Sequence, residues 1–384
     1  MRNNKNISIA KCISIMLLLF MLISCVLTSC DPSDGDTSGS AASNGAISND
    51  ASQNAGTSSD ASDASDVSDT SDNSEAPEAS DTSDEAGGNS VYAEQKGGYK
   101  LKVKKLSSNQ YRFTSHIFDD RKVALTLDKR AWGTYILGSW TLSTAGGNVN
   151  FTGGSTDMEY VYRASDKPSG GYVWSGGNHG NETLVSLEFY DGETLLDLDS
   201  GKEFEVETLT VVQKTHLHLG NPDDYYAAVT RNYTITAEQI RLDCEYDHVK
   251  DVYWYLSYTC MMPISKAYGT HADYYENGKL IYQCETGETC EKEYASDTFY
   301  EGYGADCVVL YGNKNPRYKI QVRVLTPETA TDNFSNTRKT MFWDMNKTHN
   351  KLYFSKYEEN TPTLVAAGTK YTTSCSWLLI DDEA

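Results

Sequence analysis

From residue 91 onward, apolar and polar residues exchange at every second position in short runs separated by Gly, Asn, Asp and Pro, and helical periodicity is scarce. In an extended strand successive side chains point to opposite sides, so each such run has one face to bury and needs a second sheet to cover it. The runs predict strands at Tyr111–Phe118, Lys122–Leu127, Tyr135–Leu142, Met158–Tyr162, Leu184–Tyr190, Thr194–Leu198, Glu203–Leu219 and Ala228–Ile235. They continue at Ile240–Tyr246, Val252–Met261, Lys279–Cys284, Val308–Tyr311, Tyr318–Leu325, Lys351–Phe354 and Thr372–Leu379. Asp191-Gly192 and Asn277-Gly278 each sit between two runs, and both pairs suit hairpin turns whose central residues need positive φ. The expected fold is mainly β: an antiparallel sandwich or jelly roll, either one body or two β lobes with a seam near Gly220-Asn221-Pro222. Short helices are expected at Asn221-Pro222-Asp223 and Thr326-Pro327-Glu328.

The segment before this region has a different character. Residues 31–90 carry 14 acidic residues and no Lys or Arg, with Asp at every third position from Asp60 to Asp72. Such a stretch cannot bury enough apolar surface to offset its ordering entropy, and one sign of charge extends it. It reads as a disordered spacer with a coil reach of about 45 Å. The spacer holds most of the chain's net charge of −21. The residual acidity of residues 91–384 argues against nucleic acid and against electrostatic membrane contact.

Residues 1–29 read as an export signal. Arg2, Lys5 and Lys11 precede an apolar or small run from Cys12 to Leu27, too short to span a bilayer. The following Leu27-Thr28-Ser29-Cys30 resembles the lipobox of bacterial lipoproteins. That resemblance implies cleavage before Cys30, lipidation of its sulfur, and a protein anchored to the extracellular face of a bacterial membrane. Six further cysteines, Cys244, Cys260, Cys284, Cys290, Cys307 and Cys375, lie in the exported part. Disulfides are permitted there, and Cys284 with Cys290 is the best local pair because the two flank a short turn. Closely spaced Cys-x-x-Cys zinc pairs are absent.

Chemistry is most concentrated at Trp174-Ser175-Gly176-Gly177-Asn178-His179-Gly180-Asn181-Glu182. Three glycines let the backbone turn sharply and approach a ligand. Gly176–Glu182 is locally similar to the zinc-binding segment of the zinc carboxypeptidase and aspartoacylase group. That similarity implies His179 and Glu182 as ligands, with His218 or His216 as the third. It departs from the group in leading into a strand rather than a helix. On alternation, His216 and His218 share the polar face of one strand and could hold a metal or transfer a proton. His271, beside Tyr268, Tyr274 and Tyr275, is a third candidate.

The 42 aromatic residues among residues 91–384 suit carbohydrate recognition, in which rings stack on sugar faces and polar side chains meet hydroxyls. On this reading His179, His218 and Glu182 are the catalytic candidates, and Trp174, Asn178, His216, Arg231 and Trp254 are the substrate-binding ones. Arg231 and Arg241 are available to neutralise a uronate carboxylate in lyase chemistry, and Trp343 is a further ring near polar residues. Three functions stand side by side: a lipid-anchored glycan-cleaving protein, a non-catalytic surface module binding a glycan or wall component, and a zinc hydrolase. No cofactor is indicated for the first two.

Overall fold

The structure is a computed structural model; it describes residues 92–288, 299–301, 305–326, 340–355 and 362–383. The export signal, the spacer, Cys30, Cys290 and Pro327-Glu328 lie outside the described residues.

In chain order the first strands are β1 (Leu101–Ser107), β2 (Gln110–Ile117), β3 (Arg121–Lys129), β4 (Tyr135–Thr144) and β5 (Gly147–Asn150). Next come β6 (Val161–Ser165), β7 (Val173–Ser175), β8 (Glu182–Asp191), β9 (Thr194–Leu195), β10 (Phe204–Val206), β11 (Leu209–His218), β12 (Tyr225–Ile235) and β13 (Gln239–His248). The remainder are β14 (Val252–Ser265), β15 (His271–Glu276), β16 (Lys279–Glu285), β17 (Phe299–Glu301), β18 (Cys307–Tyr311), β19 (Tyr318–Val324), β20 (Thr340–Trp343), β21 (His349–Ser355), β22 (Thr363–Val365) and β23 (Lys370–Asp381). They form three antiparallel sheets. One has six strands (β10-β1-β2-β3-β4-β5), one ten (β16-β15-β18-β19-β23-β13-β12-β11-β8-β9) and one seven (β17-β20-β21-β14-β6-β7, with β22 alongside β14).

Alternation determines which face each strand buries. Across the ten-stranded sheet, Phe189, Val211, Tyr233, Leu242, Cys375 and Val324 stand opposite one another in a single row, and all six are buried. The other two sheets cover that same face. Tyr111 of β2 meets Phe189 with ring centroids 4.5 Å apart. Tyr162 of β6 donates to the Tyr246 hydroxyl at 2.5 Å, and Trp377 Nε1 donates to the Met261 carbonyl at 2.9 Å. The result is an antiparallel β-sandwich with one apolar core shared by three sheets. At about 25 cal/mol per Å² of apolar area, burial of this many large side chains is the dominant stabilising term.

Both hairpin signals hold. Asn277 and Gly278 link β15 to β16 with φ of 49° and 76°, and Gly192 turns β8 into β9 with φ of 57°. Residues 221–224 do not form a helix; they make the turn of the β11–β12 hairpin, where Asn221 Oδ1 accepts from the Asp223 amide at 3.1 Å. Gly220 therefore lies between two neighbouring strands of one sheet, and no seam falls there. The expected strand Glu203–Leu219 is two strands belonging to different sheets, β10 and β11. Cys244, Cys260, Cys307 and Cys375 are buried free thiols, and burial pushes Cys244, Cys307 and Cys375 up, away from the reactive thiolate. Among the described residues no helix is long and apolar enough to cross a membrane.

His248 is a buried pH-sensitive element of this core. Among the described residues neither ring nitrogen has a partner, and Tyr226, Trp254 and Tyr371 surround it. Burial pushes its pKa from 6.5 down to about 4, with Asp247 opposing only in part. The unfolded chain takes up this proton near 6.5 and the folded one only near 4, so stability is intact above 6.5 and declines as pH falls between those values. The expected loss by pH 4 is about 3 kcal/mol. Denaturant unfolding from pH 7 to pH 4 checks this: His248→Phe should flatten that part of the profile, and an unchanged slope would refute the assignment.

Candidate functional site

The glycine-rich segment connects β7 to β8, and its shape is set from below. Gly177, Asn178 and His179 form one 3-10 turn. The Gly176 amide donates to the Gly180 carbonyl at 2.8 Å, closing the loop, and the Asn181 side chain donates to the Trp174 carbonyl at 2.6 Å. Asn181 itself has φ of 51°. A Cβ at Gly176 would lie 2.8 Å from the Tyr160 ring, and one at Gly177 would lie 2.4 Å from Asp157 Oδ1. These two glycines let the loop close onto buried neighbours. Asp157 is buried; its Oδ1 accepts from the Asn178 amide at 3.0 Å and its Oδ2 from Lys351 Nζ at 2.6 Å.

His179 and Asn178 are exposed at the crown of this loop. The His179 imidazole lies against Trp174 with centroids 4.9 Å apart and planes at 22°. Crowding of the ring lowers its pKa from 6.5, with Asp157 opposing. Arg130 donates to Asn178 Oδ1 and lies over Trp132, whose ring in turn backs Gly180.

Trp174 continues into the outer face of the seven-stranded sheet. The register places it directly opposite Arg163 of β6, and Val161, two residues along, opposite Tyr258 of β14. Next stand Met261, Tyr353 and Met341 in one cross-strand row, all three buried, followed by Lys351 with Trp343. With Val161 the three form a second apolar cluster, against which Trp174, Tyr258 and Trp343 pack. The Arg163 guanidinium lies 3.6 Å from the Tyr172 ring centroid and 5.3 Å from that of Trp174. Trp174 and Tyr258 are nearly parallel, 17° apart, at 6.5 Å. Tyr172 is 40% exposed, whereas Trp174, Tyr258 and Trp343 are half-buried. At its Trp174 end the face thus offers Tyr172, Trp174 and Tyr258 to solvent, bordered by Asn178, His179 and Arg130, with Arg163 buried beneath.

The other expected site residues lie elsewhere. Glu182 and Arg231 are both fully buried and form an ion pair with each other. Glu182 Oε1 also accepts from the Tyr160 hydroxyl at 2.6 Å and the Thr215 hydroxyl at 2.7 Å. Arg231 Nε donates to Tyr160 Oη at 3.0 Å and its Nη1 to the Tyr135 carbonyl at 3.2 Å. Neither can meet a substrate. Trp254 belongs to the core, stacked on Tyr162 at 4.3 Å. His218 is buried because the β11–β12 register shifts between Leu217 and His218. His216 stays on the outer side of β11, stacked on Tyr225 at 3.7 Å. Burial lowers the pKa of both histidines. Arg241 is engaged by Asp243 through two bonds of 2.9 Å. The zinc set of His179, Glu182 and His218 fails because Arg231 occupies the carboxylate. Among the described residues, no group of three His, Cys, Asp or Glu side chains could hold a metal. Arg163, Tyr172, Tyr258 and Trp132 were not anticipated. The spacing of Tyr172 and Trp174, two apart beside a strand, is the signal that points to them.

No family model matches the chain, and no curated protein matches it. Among solved structures, the GH36 α-galactosidase AgaB from Geobacillus stearothermophilus is similar at 10% identity over 73% of this chain and 41% of its own, with a TM-score of 0.44. The heparan sulfate lyase HepC from Pedobacter heparinus is similar at 12% identity over 73% and 36%, with a TM-score of 0.32. An α-galactosidase from Lactobacillus brevis is similar at 6% identity over 74% and 39%, with a TM-score of 0.33. This chain spans about two fifths of the length of those structures.

The buried pair has a measurable signature. Arg231→Met leaves Glu182 uncompensated in the core and should cost about 3–5 kcal/mol of stability. Glu159 is also buried; burial raises its pKa and Arg231 opposes, and its Oε1 accepts from the Leu137 amide at 2.7 Å and the Tyr233 hydroxyl at 3.1 Å. Glu159→Gln keeps both bonds and should change stability by under about 1 kcal/mol. Comparable losses for the two variants in denaturant unfolding would contradict this division of roles.

Proposed function

We propose that residues 91–384 form a carbohydrate-binding module carried on a lipid-anchored protein of the bacterial cell surface, and that the glycan lies across Trp174, Tyr172 and Tyr258. The observation that carries this reading is the run of rings on the outer face of the seven-stranded sheet with hydrogen-bonding groups at its border. Flat aromatic faces bury the C–H surfaces of a sugar ring, and Asn178 and His179 supply the polar contacts that fix its orientation, while the buried Arg163 supports the Tyr172 and Trp174 rings from below. A scattered exposed ring needs no explanation, but rings aligned by strand register on one face do. Binding is favoured over cleavage because two of the three candidate catalytic groups, Glu182 and His218, lie beneath the surface.

Glycan-array binding of the full-length protein in detergent, followed by titration of the best ligand, tests this. Trp174→Ala should weaken affinity about tenfold, equivalent to about 1.4 kcal/mol, and Tyr172→Ala should also weaken it, with the thermal midpoint of the Tyr172 variant unchanged. Absence of binding to every glycan, or equal affinity in both variants, would remove the proposal.

The anchor is tested separately. Wild-type protein should fractionate with membranes and require detergent for release, because two or more acyl chains hold a protein stably. Cys30→Ser should be recovered without detergent. Soluble recovery of the wild type would exclude the lipid anchor while leaving the glycan surface untouched.

A further inference from the structure

Four loops meet around a cleft of about 530 Å³: residues 265–270 after β14, 286–288 after β16, 312–315 between β18 and β19, and 344–348 between β20 and β21. Its wall carries Lys266, Lys314 and Lys347 against one carboxylate, Glu288. Three ammonium groups gathered here are unexpected in a chain of net charge −21. Lys266 is matched by Asp344, and the other two ammonium groups against Glu288 leave an excess of positive charge that an anion offsets. Lys314 and Lys347 are exposed, and among the described residues neither has a carboxylate partner; Lys314 lies over the Tyr268 ring at 5.5 Å. Lys266 is held rigidly, its side chain 2% exposed, donating to the Gly287 carbonyl at 2.8 Å and paired with Asp344 at 2.5 Å.

Two uncharged groups on the wall point the same way. Thr270 is 1% exposed and among the described residues its hydroxyl has no partner, a costly arrangement for a buried donor. Asn313 Oδ1 is held by His271 Nε2 at 2.8 Å, and the His271 ring lies flat on Tyr311. Because that oxygen is an acceptor, Nε2 carries the proton, and the Asn313 amide nitrogen is left to donate.

We propose that this cleft binds a compact oxyanion, a carboxylate, sulfate or phosphate group carried by a ligand. Lys314 and Lys347 supply the attraction, and Thr270 and Asn313 supply neutral donors. Charge-assisted hydrogen bonds to an oxyanion are the strong ones; Lys266 is already matched by Asp344, so Lys314 and Lys347 against Glu288 leave one positive charge for the incoming group. The site is formed by loops and does not depend on the aromatic face.

The full-length protein in detergent is titrated with sodium sulfate, sodium phosphate and sodium glucuronate, with sodium chloride at matched ionic strength as the reference. At least one anion should raise the thermal midpoint saturably above the chloride reference, and comparison of the three assigns the preferred group. The variant Lys314→Ala/Lys347→Ala should bind that anion at least tenfold more weakly with an unchanged midpoint in chloride. Asn313→Asp, which places a carboxylate on the wall, should do the same. No saturable effect of any of the three anions, or wild-type affinity in the double lysine variant, overturns the proposal.

Discussion

The architecture depends on how the inner edge of β4 is satisfied. At Tyr135–Leu137 this strand pairs with β3 on one side only, since β5 reaches no further than Thr141. Backbone groups that are buried without a strand neighbour must find other partners. Gln213, from the ten-stranded sheet, accepts from the Tyr135 amide at 2.7 Å and donates to the Tyr135 carbonyl at 2.8 Å. Arg231 adds a second bond to that carbonyl, and Glu159 accepts from the Leu137 amide. Arg231 thereby touches the six-stranded sheet at Tyr135, its own sheet at Glu182, and Tyr160, which leads into the seven-stranded sheet. The joint of all three sheets is therefore polar, inside an otherwise apolar core. One guanidinium balances one carboxylate, and Glu159 is pushed toward its neutral form. Fixed donors converge on Glu182 Oε1 and Glu159 Oε1, while the second oxygen of each carboxylate has no partner among the described residues.

The strands and hairpins were legible because alternation and positive-φ turn residues are local properties. The charged joint was not, since its cause is the missing neighbour of a strand elsewhere in the chain. Part of it could still have been read. Val229, Arg231 and Tyr233 share one face of β12, so an arginine between two core positions is itself placed inward. The same reasoning misleads at His216 and His218, where a register shift breaks the alternation at its last step. A bulge of this kind leaves no mark in the sequence, and it decides that one histidine is outward and the other buried.

The glycine-rich loop shows the opposite relation between sequence and site. Its unusual composition was visible, and it does sit at the candidate surface. The reason for the glycines is different: Gly176 and Gly177 accommodate Tyr160 and Asp157 below them. Zinc-segment likeness at Gly176–Glu182 dissolves for the same cause, since the strand that follows carries Glu182 straight into the core. The aromatic rings that do meet solvent come from three strands and a connecting segment. Only the pairing of β6 with β7 and with β14 brings Arg163, Trp174 and Tyr258 together.

That origin has a consequence for binding. Loops that order upon contact lose affinity to the entropy of ordering, whereas groups fixed beforehand do not. Here the rings project from paired strands, and the crown of the loop is tied down through Asn178 to Asp157, then through Asp157 to Lys351 of β21. The 3-10 turn and the sheet it overhangs are thus held by one buried ion pair. A stiff face of this kind suits a ligand that is itself repetitive and presents little net charge, because its affinity then comes from matched flat surfaces rather than from rearrangement.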